Sequence, residues 1–180
     1  MNKTILIDSD NTCIDLLSPW VSLYNYKWED ELQVEDIKSW DMELYVKKVC
    51  GKYIYSLLTP ELYRNIKAIE GAVEGIKELK KMDYNIVYVT ALHPVTVEAK
   101  FRRMQELGFE PTLKTFICAS NKSLVKGDYL IDDNVDNVQS FSSHGEKGIL
   151  FSRGHNANST YTPRCNTWEE IIRYFSKESK

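Results

Sequence analysis

Two aspartates, Asp8 and Asp10, follow directly on the apolar run Thr4-Ile5-Leu6-Ile7. A short run of branched apolar side chains reads as a buried strand, so both acids stand where that strand ends. In an open parallel α/β sheet, ligands bind beyond the carboxyl ends of the strands. Two acids there suit a divalent cation, and one of them is placed to attack phosphorus as a nucleophile. Acid pairs elsewhere mostly cap helices or sit in solvated turns; the buried strand just before this pair favours chemistry. Asn11-Thr12 comes next, and asparagine tolerates the left-handed backbone that a sharp strand exit requires.

Three further sites belong with these acids. Thr90 ends the run Ile86-Val87-Tyr88-Val89, where its hydroxyl is placed to hold a phosphate oxygen; the alternative for Thr90 is a routine helix N-cap. Lys122 precedes the run Asp128 to Ile131 and is suited to neutralising a phosphoryl group, the alternative being an exposed loop lysine. Asp132-Asp133 ends that run as Asp8 ends the first. Two neighbouring carboxylates repel unless a cation or basic group compensates them.

The elements that must position these residues are legible as short strands alternating with helices. Asn85 to Val89, Thr115 to Cys118, Asp128 to Ile131 and Gly148 to Phe151 read as further parallel strands. Val73, Ile76, Leu79 and Met82 form one helical stripe, and Val97, Phe101, Met104 and Leu107 form a second that Gly108 terminates. Thr167-Trp168-Glu169-Glu170 reads as a capping box ahead of a stripe made by Trp168, Ile171, Ile172 and Phe175. The alternation predicts an α/β fold with a doubly wound parallel sheet. Residues 16–69 break the rhythm: they contain no convincing strand, their periodicity is helical, and Thr59-Pro60-Glu61 looks like a helix start. That segment holds Trp20, Trp28 and Trp40 and six of the eleven tyrosines, an aromatic load that suits flat ligands. It is expected to be a small helical cap inserted after the first strand, with residues 1–15 and 70–180 forming the core.

Composition narrows the classes of function. The 180 residues, 43% hydrophobic and 27% charged, suffice for one core and a modest insertion. A net charge of −3 argues against coating a nucleic-acid polymer, although a small anion in a locally basic cleft stays compatible. No apolar run approaches the ~20 residues of a membrane span, and the amino terminus does not read as a signal peptide. Cys13, Cys50, Cys118 and Cys165 form no CxxC pair. Cys13 and Cys118 read as reduced core residues, which points to the cytoplasm.

The ordered set Asp8-x-Asp10-x-Thr12, Thr90 after a strand, Lys122, and Gly127-Asp128-x-x-x-Asp132-Asp133 resembles the four motifs of the haloacid dehalogenase superfamily of phosphatases. A narrower resemblance, to the 5′(3′)-deoxyribonucleotidase family, covers most of the chain. It is carried by Asp8 to Asp15, by Leu62-Tyr63-Arg64-Asn65 leading to Glu70-Gly71-Ala72-Val73-Glu74, by Lys122 to Val125, and by His155-Asn156, Arg164 and Asn166-Thr167-Trp168. The chain departs from it at Ser9 and Asn11, where that family usually has Met and Gly, and at Ala91-Leu92-His93, where it often has Ser-Pro. The cap sequence is also divergent.

The resemblance implies a two-step hydrolysis of (deoxy)nucleoside monophosphates with Mg²⁺ as cofactor. Asp8 would form an aspartyl-phosphate, and Asp10 would serve as general acid and then general base, a role that a like-charged neighbour would assist. Mg²⁺ would be held by Asp8, the Asp10 carbonyl and Asp133, with Asp132 in support; Thr90, Ala91 and Lys122 would take the charge of the transferring group. Leu16 and Trp40 are the candidates for the base pocket, the other cap aromatics reading as packing; His93 and His155 read as incidental. The implied partner is a small nucleotide, with no membrane and no nucleic-acid polymer, and a homodimer is left open. The competing functions are a phosphatase for another small phosphate, such as a sugar phosphate, and a catalytically silent nucleotide-binding module. No Gly-x-x-x-x-Gly-Lys-Ser/Thr or Gly-x-Gly-x-x-Gly pattern occurs to suggest a kinase or a dehydrogenase.

Overall fold

A computed structural model describes residues 2–91 and 94–178. Its centre is a six-stranded sheet in the order β3-β2-β1-β4-β5-β6. The strands are β1 (Thr4–Ile7), β2 (Asn85–Thr90), β3 (Phe116–Cys118), β4 (Tyr129–Asp132), β5 (Lys147–Phe151) and β6 (Arg164–Cys165). All pairings are parallel, so every strand end that matters lies on one edge. The two-residue β6 is an addition to the expected set; it is too short to carry a period-two pattern.

Alternation along β1 explains the two wound faces. Ile5 and Ile7 enter one buried cluster, to which α3 (Ala72–Lys81), α4 (Val97–Glu106) and α6 (Trp168–Glu178) contribute Ile76, Met104 and Phe175. Leu6 points the other way, into a smaller cluster with Val138 and Phe141 of α5 (Val135–Ser142). With side chains at period two, a strand buried on both faces shows no polar alternation. The expected α/β fold with a doubly wound parallel sheet is what forms.

Between β1 and α3 the chain adds no strand to the sheet. It makes α1 (Leu17–Trp28), 3-10 turns at Val34–Asp36, Met42–Leu44 and Gly51–Leu57, and α2 (Pro60–Arg64). Thr59 starts α2 as expected, its hydroxyl accepting from the Leu62 amide. Trp20 anchors the segment by donating its indole N–H to the Ile54 carbonyl at 2.9 Å.

Three local expectations need correction. The inward stripe of α4 includes Lys100 and Met104, whereas Phe101 is only half-buried and meets Phe116 edge-on. At the start of α6, Thr167 accepts from the Glu170 amide, but the Glu170 carboxylate reaches back to the Asn166 amide, one residue short of a reciprocal box. Cys118 is exposed, because it ends edge strand β3; Cys13, Cys50 and Cys165 are buried, and all four thiols are free. No helix among the described residues is long and apolar enough to cross a membrane.

Candidate active site

Strand register assembles the site. Ile7 is paired with Ile131, which sets Asp8, the next residue, level with Asp132 on the neighbouring strand. The Asp8 amide then donates to the Ile131 carbonyl at 2.9 Å, extending the ladder to the acid itself. Beyond Asp8 the chain turns sharply. The Cys13 and Ile14 amides both donate to the Ser9 carbonyl, and Asn11 takes the expected left-handed conformation, with φ of 55°. The Asn11 side-chain oxygen accepts from the Leu16 and Leu17 amides, so the residue that turns the chain also starts α1. Two distant groups clamp this loop: the Trp168 indole N–H donates to the Thr12 carbonyl and Arg153 Nε to the Asn11 carbonyl. Asp15, the later acid of the motif, faces α1 and accepts from the Ser18 amide.

Asp8, Asp132 and Asp133 are buried together, with ligand atoms within 4.8 Å of one another. Lys122, 2% exposed, binds Asp8 Oδ1 and donates to Asp132 Oδ2 at 2.6 Å, so it is not an exposed lysine. Asn137 donates a second bond to Asp132 Oδ2 at 2.9 Å. Burial pushes the carboxyl of Asp8 well above the usual range; Lys122 opposes the shift, and Asp132, Asp133 and Asp10 add to it. Burial, then the Asp132 charge, does the same to Asp133. Burial works against the charge on Lys122, but Asp132 and Asp8 outweigh it and hold the ammonium above its ordinary value.

A second buried ammonium, unforeseen in the sequence, lies on the other side of the pair. Lys100 Nζ donates to Asp10 Oδ2 at 2.5 Å, to Thr90 Oγ1 at 2.8 Å and to Ser9 Oγ at 3.3 Å. Asp10 therefore has a cation beside it as well as the like-charged Asp8. Its sequence signal was a lysine three residues after Val97 and four before Met104, inside the buried stripe of α4. Thr90 is the last residue of β2 and wholly buried, with α4 beginning several residues later, so it is not an N-cap.

Four carboxylates (Asp8, Asp10, Asp132 and Asp133) thus face two ammonium groups. The excess negative charge, the all-oxygen donor set and Asp133 Oδ2, which is buried without a hydrogen-bond partner, fit a hard divalent cation. His155, read as incidental, places Nε2 3.0 Å from that oxygen without hydrogen-bond geometry, and its ring packs on Trp40 with centroids 4.6 Å apart. Burial pulls its pKa down to about 4, so the imidazole is neutral near neutral pH.

The acids open onto a cleft of about 260 Å³ whose lining includes Ala91 and both Leu16 and Trp40. Trp20, Tyr55 and Tyr63 line it as well, so the aromatic wall is broader than the single tryptophan expected. Their spacing along the chain is irregular, and only the tertiary fold brings them together. His93 lies outside the described residues, and His144 is exposed in the turn that follows α5.

The acid cluster at the carboxyl edge of this parallel sheet goes with a haloacid dehalogenase-like fold. The backbone agrees: a haloacid dehalogenase-like protein from Agrobacterium tumefaciens superposes with a TM-score of 0.72 at 11% identity, covering 100% of both chains. Residues 2–177 match the family described as 5′ nucleotidase, deoxy (Pyrimidine), cytosolic type C protein, and the chain belongs to that family of phosphatases. It is 39% identical over 172 residues to a 5′(3′)-deoxyribonucleotidase of Clostridium acetobutylicum, covering 94% of this chain and 93% of the relative. It is 37% identical to one of Bacillus subtilis, with 96% and 98% covered.

Proposed function

We propose that the protein is a Mg²⁺-dependent phosphatase that converts deoxynucleoside monophosphates into nucleoside and phosphate. The observation that carries the reading is the placement of Asp8: a buried carboxylate on the strand edge, held by Lys122, beside Asp10, at the base of an aromatic-walled cleft. The similarity to deoxyribonucleotidases supports the substrate class. The size of the cleft, near the lower end of the ~300–1,000 Å³ typical of small-molecule sites, favours a monophosphate over a polymer.

In the first step an Asp8 carboxylate oxygen attacks phosphorus, and the bond from phosphorus to the sugar oxygen breaks. Asp10 delivers a proton to that departing oxygen, leaving nucleoside and an aspartyl-phosphate. In the second step Asp10 takes a proton from water, whose oxygen attacks phosphorus and breaks the bond to Asp8, releasing phosphate. Thr90, the Ala91 amide and Lys122 hold the non-reacting phosphoryl oxygens, acting where negative charge builds up. Asp8, the Asp10 carbonyl, Asp132 and Asp133 would hold Mg²⁺, which when bound supplies charge neutralisation and keeps the buried acids ionised. Residues 16–69 act as the cap, and Trp40 and Leu16 contact the base, where stacking contributes ~1–3 kcal/mol per aromatic face. The free cysteines support a reducing compartment, and the cytoplasm is the proposed location.

The test is phosphate release from deoxynucleoside, ribonucleoside and sugar monophosphates, with Mg²⁺ or EDTA, for the wild type and Asp8→Asn. Metal-dependent release from deoxynucleotides that vanishes in Asp8→Asn is expected. Release from sugar phosphates alone would overturn the substrate assignment, and binding of nucleotide without turnover would overturn the enzyme.

A further inference from the structure

Lys100 has no part in the mechanism above, yet it is fully buried and touches two of the groups that mechanism uses. A lysine ammonium has three N–H donors and no acceptor. All three are engaged here, by Asp10, Thr90 and Ser9, while Tyr63 lies over the ammonium with its ring centroid 5.0 Å from Nζ. No donor is left over for a ligand. Lys100 is therefore not built to bind phosphate; it is built to hold its neighbours.

What it holds them for follows from the inventory of lone pairs. Asp10 lines the cleft; its Oδ2 is engaged by the ammonium, while Oδ1 is buried without a hydrogen-bond partner among the described residues. The two oxygens of one carboxylate are thereby made unequal, and Oδ1 is the one left for proton transfer. Thr90 Oγ1 accepts from the same ammonium, which leaves its own O–H to donate. Thr90 thus anchors the ammonium beside Asp10.

Resting on the phosphatase reading, we infer that Lys100 is a positioning residue for the leaving-group proton transfer. It orients Asp10 so that Oδ1 serves the departing oxygen. Tyr63, at the end of the inserted segment, covers it, so the segment that shapes the cleft also shields the group that orders its polar side chains.

The discriminating experiment varies the leaving group. An alkoxide such as the sugar oxygen of dTMP needs a proton to depart, whereas p-nitrophenolate departs without one. First-turnover rates are measured by rapid quench for both substrates with Mg²⁺, for the wild type, Lys100→Met, Asp10→Asn and the double variant, after thermal melts show that each is folded. Lys100→Met should slow dTMP cleavage by about 100-fold, the lower bound of what general acid catalysis contributes, while the p-nitrophenyl phosphate burst stays within about threefold. The double variant should be no slower on dTMP than Asp10→Asn alone, because residues acting as one unit are not additive. Equal losses on both substrates, or an unchanged dTMP rate, would overturn the role of Lys100. Where Lys100→Met does not fold, Lys100→Leu, which also removes every donor, is read against the same two outcomes. A wild type that turns over neither substrate overturns the phosphatase reading itself, and the role of Lys100 with it.

Discussion

Replacing His155 by Gln should flatten part of the protein's acid-stability profile. The imidazole is buried against Asp133 and Trp40, and its pKa falls from 6.5 to about 4, with burial as the main cause. In the unfolded chain the ring binds a proton near its ordinary value; in the folded chain it resists doing so until far lower pH. Between these values the unfolded state binds more protons than the native state, so stability increases with pH. The contribution is therefore fully present above about pH 6.5 and is lost progressively as the pH falls toward about 4. The full span corresponds to about 3 kcal/mol, of which about 2 kcal/mol is already lost at about pH 5. Asp8 and Asp133 act in the opposite sense: their raised folded pKa values favour the protonated acid, so acidification relieves them. Because His155 touches Asp133, the comparison is repeated in an Asp133→Asn background, so that the difference between the two curves removes the contributions of both acids. Urea unfolding in EDTA, from about pH 7.5 down to about pH 4.5, gives that difference directly. Wild type minus His155→Gln should fall by about 2 kcal/mol on going to about pH 5. A constant offset between the curves would refute the reasoning, because lost packing on Trp40 lowers stability without a pH dependence.

The remaining predictions concern the acids, the wall and the core. Lys122→Met leaves Asp8 and Asp132 buried without their ammonium; unfolding in EDTA should show a loss of about 3–5 kcal/mol, and phosphate release should cease. Mg²⁺ at about 100 times its Kd should stabilise the wild type by about 2.7 kcal/mol in thermal melts, and an Asp133→Asn variant should lose most of that response. Trp40→Ala should raise KM for deoxynucleotides more than it lowers kcat, by an amount corresponding to about 1–3 kcal/mol, and equal kinetics would remove Trp40 from the base pocket. Gly75→Ala would place a Cβ 2.7 Å from Trp168 Cε3 where α3 meets α6; a stability loss of about 1–3 kcal/mol is expected, with activity per folded molecule unchanged.

The chain itself determined the sheet and the acids at its edge. Buried parallel strands need continuous apolar runs, and a run such as Ile5-Leu6-Ile7 followed at once by Asp8 marks both the strand and the end that carries chemistry. The order of Asp8, Thr90, Lys122 and Asp132-Asp133 then sufficed for the family, because each stands at a loop fixed by a neighbouring strand. What local patterning lacked was the direction of individual side chains. Lys100 and Phe101 both fit a helical stripe, and an apolar criterion selects the phenylalanine. In the fold it is the lysine that turns inward, because three oxygen acceptors from β1's exit loop and β2 converge there to receive an ammonium. The same holds for Cys118, apolar in its surroundings by sequence yet exposed at a sheet edge. Trp20, Tyr55 and Tyr63 share no sequence period, and only the tertiary fold brings them to line one cleft. Strand periodicity is a local property of the backbone, whereas the partner that receives a buried charge is set by residues distant in sequence, and only the tertiary structure decides it.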